Sequence, residues 1–153
     1  KMIKVGLFEP EIPPNTGNIA RLCGAVGAPL HLIGRLGFRI DDKSLQRAGL
    51  DYWDAVSIHT HNTLEEYEKI VPPGRLFCFS SRATTPFTEV RFQPGDGLLF
   101  GPESQGLPNW ILDKYASNQI LIPMPGSNSI RSLNLATSVG VAVYECLRQL
   151  HGW

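Results

Sequence analysis

The sequence has no surplus of either charge: 14 Lys and Arg balance 14 Asp and Glu, for a formal net charge of +0. Binding to a polyanion through overall charge is thereby excluded, and such a partner must be met by a local patch. No apolar run approaches the ~18 residues that a membrane-crossing helix needs. Cysteine is scarce: Cys23, Cys78 and Cys146 are odd in number, widely spaced and without a CxxC pair. They read as buried free thiols rather than a disulfide framework or a metal site. The G-x-G-x-x-G and P-loop fingerprints are also missing, which argues against kinase, ATPase and dinucleotide chemistry. No repeat or low-complexity tract interrupts the chain. Its 153 residues, 42% hydrophobic and 18% charged, suffice for one core, so a single domain over 1–153 is expected. The opening KMIKVGLFEPE turns acidic too soon for a secretory signal, and a cytoplasmic protein is expected.

What is present is alternation. Short apolar runs predict strands at Met2 to Phe8, Leu30 to Ile33, Ala55 to His59, Arg75 to Phe79, Leu98 to Phe100 and Gln119 to Ile122. Helical spacing predicts a helix capped by Asn15 or Thr16 and stopped by Gly27, with Ile19, Leu22, Cys23 and Val26 on one side. Shorter helices are expected at Ser44 to Ala48, Asn62 to Ile70 and Trp110 to Tyr115, and a long closing one from about Ser132 to Leu150. Apolar strands alternating with helices predict an α/β fold, a parallel sheet covered on both faces.

Three stretches concentrate polar chemistry after strands. In Asn15-Thr-Gly-Asn18-Ile-Ala-Arg21, amides, a hydroxyl and an arginine crowd one helix start. That is either a capped helix with a surface arginine or an anion or ribose site. In Leu98-Leu-Phe-Gly101-Pro-Glu103-Ser-Gln-Gly106-Leu-Pro, glycines flank a carboxylate directly after a buried strand. Glu103 is either a solvent-facing turn residue or an acceptor in a loop where Gly101 admits a ligand to the backbone. In the stretch from Ile122 to Glu145, a loop rich in Pro, Gly, Ser and Asn runs into an apolar helix. Ser129, Arg131, Ser132 and Asn134 crowd the helix start, and Ala136 and Gly140 give it a small face. The bland reading is capping by Ser129 or Ser132; the sharper one is a ligand loop at the carboxyl end of a sheet.

Three further features read as structural. His59 and His61 alternate at a strand end, but with no third ligand in view they read as solvent-exposed. Trp53, Trp110 and Trp153 read as core or surface anchors rather than base-stacking platforms. Arg21, Arg35, Arg39, Lys43 and Arg47 form a basic stretch, neutralised in part by Asp41 and Asp42. It is either a solvated face or a phosphate-contacting patch.

Together NTGNIAR, LLFGPESQGLP and IPM…SIRSLNLATSVGVAVYE resemble the three motifs of the SPOUT superfamily of RNA methyltransferases, in the branch acting on ribose 2′-hydroxyls. VGLFEPEIPPNTGNIARLCG and DDKSLQRAGLDYW extend the likeness, over nearly the whole chain, to the minimal group that methylates the wobble nucleotide of tRNA. The resemblance implies a parallel sheet whose C-terminal part forms a trefoil knot. It implies a homodimer, S-adenosylmethionine as methyl donor, no metal, no membrane, and the anticodon stem-loop of leucine tRNAs as RNA partner. The matching catalytic positions are Arg21, Asn15, Glu103 and Asn134; the matching cofactor positions are Phe79, Gly101, Ile122, Ser132 and Leu133. The arginine at position 21 is given the proton role in the family, yet a guanidinium is a poor base. Deprotonation by its surroundings and a charged clamp on phosphate and alkoxide both stay open. Gln105 stands where a basic residue occurs in some relatives. Methylation of another tRNA or ribosomal RNA site, or RNA binding without catalysis, are the competing readings.

Overall fold

The computed structural model describes residues 2–126, 129–130 and 132–153. Among these, six strands pair in parallel: β1 (Lys4–Phe8), β2 (Leu30–Ile33), β3 (Ile58–His61), β4 (Leu76–Phe79), β5 (Gly97–Phe100) and β6 (Gln119–Ile120). Their order across the sheet is β3-β2-β1-β5-β4-β6. Chain order therefore reverses between β1 and β5. The first three strands step away to one side, and the last three lie on the other.

The central strands are mostly apolar, Lys4 and His31 apart, because both of their faces are covered. Side chains alternate across the sheet. In β5, Leu98 and Phe100 join one buried cluster, with Ile19 and Cys23 of α1 (Pro13–Val26) and Val139, Val143 and Cys146 of α5 (Leu135–His151). Leu99 joins the opposite cluster, with Leu64 and Tyr67 of α3 (Leu64–Glu68) and Ile111 and Leu112 of α4 (Asn109–Lys114). Helix α2 (Lys43–Gly49) packs against α1. All three cysteines are buried and free, as their spacing predicts.

Three element boundaries differ most from the sequence expectation. Helix α1 begins with Pro13 and Pro14 in its first turn, where a missing N–H costs nothing, and Ile12 is its N-cap residue. Asn15 and Thr16 are thus inside the helix and buried, not capping it. The third strand is Ile58–His61, displaced toward the C-terminus because its register on β2 pairs Leu30 with Ile58 and Ile33 with His61. The segment before it, Leu50–Ala55, turns as a 3-10 helix. The closing helix starts at Leu135, and its cap is Asn134 rather than Ser129 or Ser132: the Asn134 side chain accepts from Thr137 N–H at 3.2 Å. Arg131 lies outside the described residues.

The chain leaving β4 wraps around the segment after β6. Ser80 N–H donates to Ile120 O at 3.0 Å, Leu121 N–H to Thr85 O at 3.0 Å, and Phe87 N–H to Leu121 O at 2.8 Å. Helix α5 is tied to the same connection: Gln149 Oε1 accepts from Phe92 N–H at 2.9 Å and its Nε2 donates to Val90 O at 3.0 Å. A buried ion pair closes the amino end of β5, with Arg75 donating to both oxygens of fully buried Asp96 at 2.8 and 2.7 Å.

Candidate active site

The carboxyl ends of β4, β5 and β6 open into a cavity of about 480 Å³. A stacked pair of rings, Phe79 and Phe100, 4.5 Å apart and 11° from parallel, stands at its strand side. Leu107, Leu121, Ile122 and Leu133 supply further apolar wall. Among the described residues, Glu103 and Arg82 are the charged ones lining it, and Arg82 donates to Asn109 Oδ1 at 2.9 Å. Such a lining does not suit a polyphosphate. A nucleoside-sized space with a mixed lining, stacked rings on one side and serine, amide and backbone groups on the other, suits a small ligand that carries both a flat ring and polar groups.

The loop after β5 is folded onto itself. A Cβ on Gly101 would come within 2.2 Å of Leu107 N and 2.3 Å of the Gly106 carbonyl carbon. Gly106 completes the turn with φ +70°. Gly101 is therefore required by close approach of the protein's own backbone, whereas the sequence suggests approach of a ligand. The fold of this loop carries Glu103 to the start of α1. Its carboxylate accepts from Glu11 N–H and Ile12 N–H, both at 2.8 Å, and from Asn15 Nδ2 at 3.4 Å. An acceptor from a distant segment thus caps a helix that has no side-chain cap of its own, at the positive end of the helix dipole. Ser104 returns the contact, donating through N–H and Oγ to the Glu11 carboxylate at 2.8 and 3.0 Å.

Asn15 joins this clasp to the third polar stretch. Its Oδ1 accepts from Asn134 Nδ2 at 3.0 Å, while the Asn134 Oδ1 caps α5. One amide donates to Glu103 and accepts from Asn134, which fixes its orientation by chemistry. Glu103, Asn15 and Asn134 form a continuous chain across residues 88 and 119 positions apart in sequence.

Asn15, Phe79, Gly101, Glu103, Ile122, Ser132, Leu133 and Asn134 all line the cavity. Arg21 does not: it is exposed on α1, away from the lining. Sequence reasoning does not find Glu11 and Ser104, whose reciprocal bonds depend on a loop-to-loop contact with no spacing signature. Nor does it find His31. On the far side of the sheet from α1, His31 stacks on His59 at 4.8 Å and shares a hydrogen bond of 2.8 Å between its Nδ1 and His61 Nε2. Strand pairing of β2 with β3 brings these rings together, and among the described residues no group of three His, Cys, Asp or Glu is arranged to hold a metal ion. Burial, then the neighbouring His59, His61 and Lys4, push the His31 imidazole down to about 3.

A family model described as the SpoU rRNA Methylase family matches residues 2–144. A tRNA (cytidine(34)-2'-O)-methyltransferase of Yersinia pestis is 49% identical over 155 residues, covering 97% of this chain and 94% of that protein. The protein of the same name from Escherichia coli (strain K12) is 47% identical over 150 residues, with 97% and 94% covered. Among solved structures, one described by the words "Structural insights into the 2-OH methylation of C/U34 on tRNA" has a TM-score of 0.93 at 49% identity, covering 99% of this chain and 98% of that chain. An AdoMet-bound rRNA methyltransferase from Sinorhizobium meliloti has a TM-score of 0.83 at 26% identity, covering 97% of this chain and 57% of that one. With the family match running from β1 into α5 and through all three polar stretches, the chain belongs to the SpoU rRNA methylase family.

Proposed function

We propose that this chain transfers a methyl group from S-adenosylmethionine to the ribose 2′-hydroxyl of the wobble nucleotide of tRNA, a cytidine or modified uridine, with leucine tRNAs as substrates. The observation that carries the reading is the hydrogen-bond chain Glu103–Asn15–Asn134 at the cavity, which unites the three polar stretches into one site. End-to-end relatives whose names specify the ribose of position 34 support the same substrate. The AdoMet-bound relative supports the methyl donor.

S-adenosylmethionine supplies an electrophilic sulfonium methyl, so the protein's task is to align a hydroxyl and to manage its proton. Phe79, Gly101, Ile122, Ser132 and Leu133 hold the donor. Asn15, Glu103 and Asn134 keep the loops that form its cavity in register. Arg21, outside the cavity of its own chain, acts across a homodimer interface built from α1 and α5. Exposed Val141 and Tyr144 on α5, 40% and 50% accessible, support such an interface. There Arg21 stays charged and clamps the substrate phosphate and the developing alkoxide. Arg35, Arg39 and Lys43, all exposed, meet the anticodon stem. The chain acts in the cytoplasm. Its C-terminal segment is threaded through the connection after β4 as a trefoil knot, a reading supported by the bonds from Leu121 to Thr85 and Phe87.

Incubation with labelled S-adenosylmethionine and total tRNA, followed by mass-spectrometric mapping, tests the proposal. Methyl on the wobble ribose is the expected result. Methyl on another tRNA or ribosomal RNA position would replace the substrate, and no transfer would leave an RNA-binding protein without catalysis. Arg21→Ala is expected to abolish transfer while cofactor binding persists; an active variant would remove Arg21 from the mechanism.

A further inference from the structure

A second cleft, of about 280 Å³, adjoins the first and shares Pro102 and Gln105 with it. Its remaining walls are Glu9, Glu11, Arg35, Leu36 and Gly37. It lies beyond the carboxyl ends of β1 and β2 and faces the loop after β5. That is where strand order reverses, the place where open parallel sheets bind ligands.

Glu9 is the unusual residue in it. Its φ is +49°, the one positive value among the described non-glycine residues. A long, unbranched acidic side chain has no local reason to adopt this conformation, which glycine or asparagine occupies with less cost. The left-handed turn directs the Glu9 side chain toward the end of β2. Its Oε2 accepts from Arg35 N–H at 3.1 Å, and the missing Cβ of Gly34 leaves it room. One carboxylate of the cleft, Glu11, is already committed to Ser104. Glu9 meets Arg35 N–H through one oxygen, and a carboxylate has lone pairs on both for further donors.

We infer that this cleft receives the base of the nucleotide whose ribose is methylated, with the Glu9 carboxylate as the acceptor for the exocyclic amine of cytosine. The inference rests on the function proposed above. A ribose at the mouth of the larger cavity puts its own base one wall away, across Pro102 and Gln105. Bases of a single-stranded loop can be splayed out onto a protein, and a base so turned needs a place to go. The cleft has room for a single base. A carboxylate accepts from the cytosine exocyclic amine, and the Gln105 amide can donate to the O2 that both pyrimidines carry. Adenine offers an amine but carries no O2 for the Gln105 amide. The Glu9 oxygen thus prefers cytidine, and Gln105 tolerates either pyrimidine.

Anticodon stem-loop RNAs differing only in the target base (cytidine, uridine or adenosine) test this, assayed with the wild type, Glu9→Gln and Glu9→Gly. Glutamine keeps an oxygen for Arg35 N–H but loses the charge. Glycine relieves the backbone and removes the side chain. Both variants are expected to lower kcat/KM for the cytidine RNA by about tenfold relative to uridine, the discrimination of one good base contact. The loss is expected in KM, with S-adenosylmethionine binding by calorimetry unchanged. Equal loss on cytidine and uridine, or loss of cofactor binding, would overturn the inference and leave Glu9 as a loop support. Unchanged selectivity in both variants would overturn it alone. A wild-type protein that methylates none of the three RNAs would overturn the parent function, and this subsite with it.

Discussion

Replacing Glu103 by Gln isolates the clasp on which the cavity depends. The carboxylate receives two main-chain N–H groups at 2.8 Å and the Asn15 amide at 3.4 Å. Glutamine keeps one oxygen and turns an NH₂ toward the other main-chain donor, so one strong bond becomes a donor facing a donor. A hydrogen bond to a charged group contributes about 1.5–3 kcal/mol. The favourable charge at a helix N-terminus adds about 0.3–1 kcal/mol. Glu103 is half-buried and water reaches this loop, so the lower part of the sum applies, about 2 kcal/mol. For a chain of this size that corresponds to a fall in Tm of about 4–8 °C. Urea denaturation measures the loss, with an unchanged m-value indicating the same native fold. Because Asn15 and the turn 101–107 lose their shared partner, S-adenosylmethionine affinity by calorimetry is expected to fall as well. A variant with wild-type stability and wild-type affinity would refute the clasp. Lost affinity at full stability would mean that Glu103 touches the ligand directly instead of ordering the loops.

Three other perturbations probe the same framework. Gly101→Ala forces a Cβ to within 2.2 Å of backbone at Leu107; overpacking of this kind costs about 1–3 kcal/mol or more, and both Tm and cofactor affinity should drop. Arg75→Ala leaves the fully buried Asp96 carboxylate without its partner, and urea titration should show a loss of about 3 kcal/mol, most of it recovered by adding Asp96→Asn. His31 takes up a proton near 6.5 when unfolded but only near 3 when folded, so the unfolded state binds more protons between these values and stability falls as pH falls. About 1–2 kcal/mol should disappear between pH 6.5 and pH 5, and His31→Phe should flatten that slope in a series of melts.

The sheet is legible in the sequence because buried parallel strands leave apolar runs, and Leu30 to Ile33 and Leu76 to Phe79 are almost wholly apolar. The edge strand, expected at Ala55 to His59, is displaced for the same reason. Ile58–His61 is half exposed and polar, and only its register on β2 defines it. The cap of α1 lies at least three residues ahead of its sequence signal because Pro13-Pro14 resembles a break, although proline in a first helical turn forfeits no bond. The site is legible as a set of residues, through motif resemblance, but not as a mechanism of assembly. Gly101 resembles an opening for a ligand, and the space its Cβ would need is instead filled by Leu107 and Gly106. Asn15 resembles a cap and is the middle link of a chain between Glu103 and Asn134. Contacts between segments 88 and 119 positions apart leave no periodic trace.

That assembly explains why the polar residues of the three stretches resist being sorted into structural and functional ones. Asn134 Oδ1 caps α5 while its Nδ2 holds Asn15. Glu103 caps α1 while lining the cavity. Each side chain turns one face to a helix terminus and the other to the site, so the helix dipoles and the cavity walls are oriented by the same bonds. Substitution of any one of them must alter stability and ligand binding together. A group that met only the ligand would change binding alone. Arg21, which lies outside the cavity lining of its own chain, is proposed to act on the substrate and not to hold these loops together. The separation of effects between Arg21→Ala and Glu103→Gln therefore distinguishes a residue that acts on substrate from one that builds the place where substrate is held.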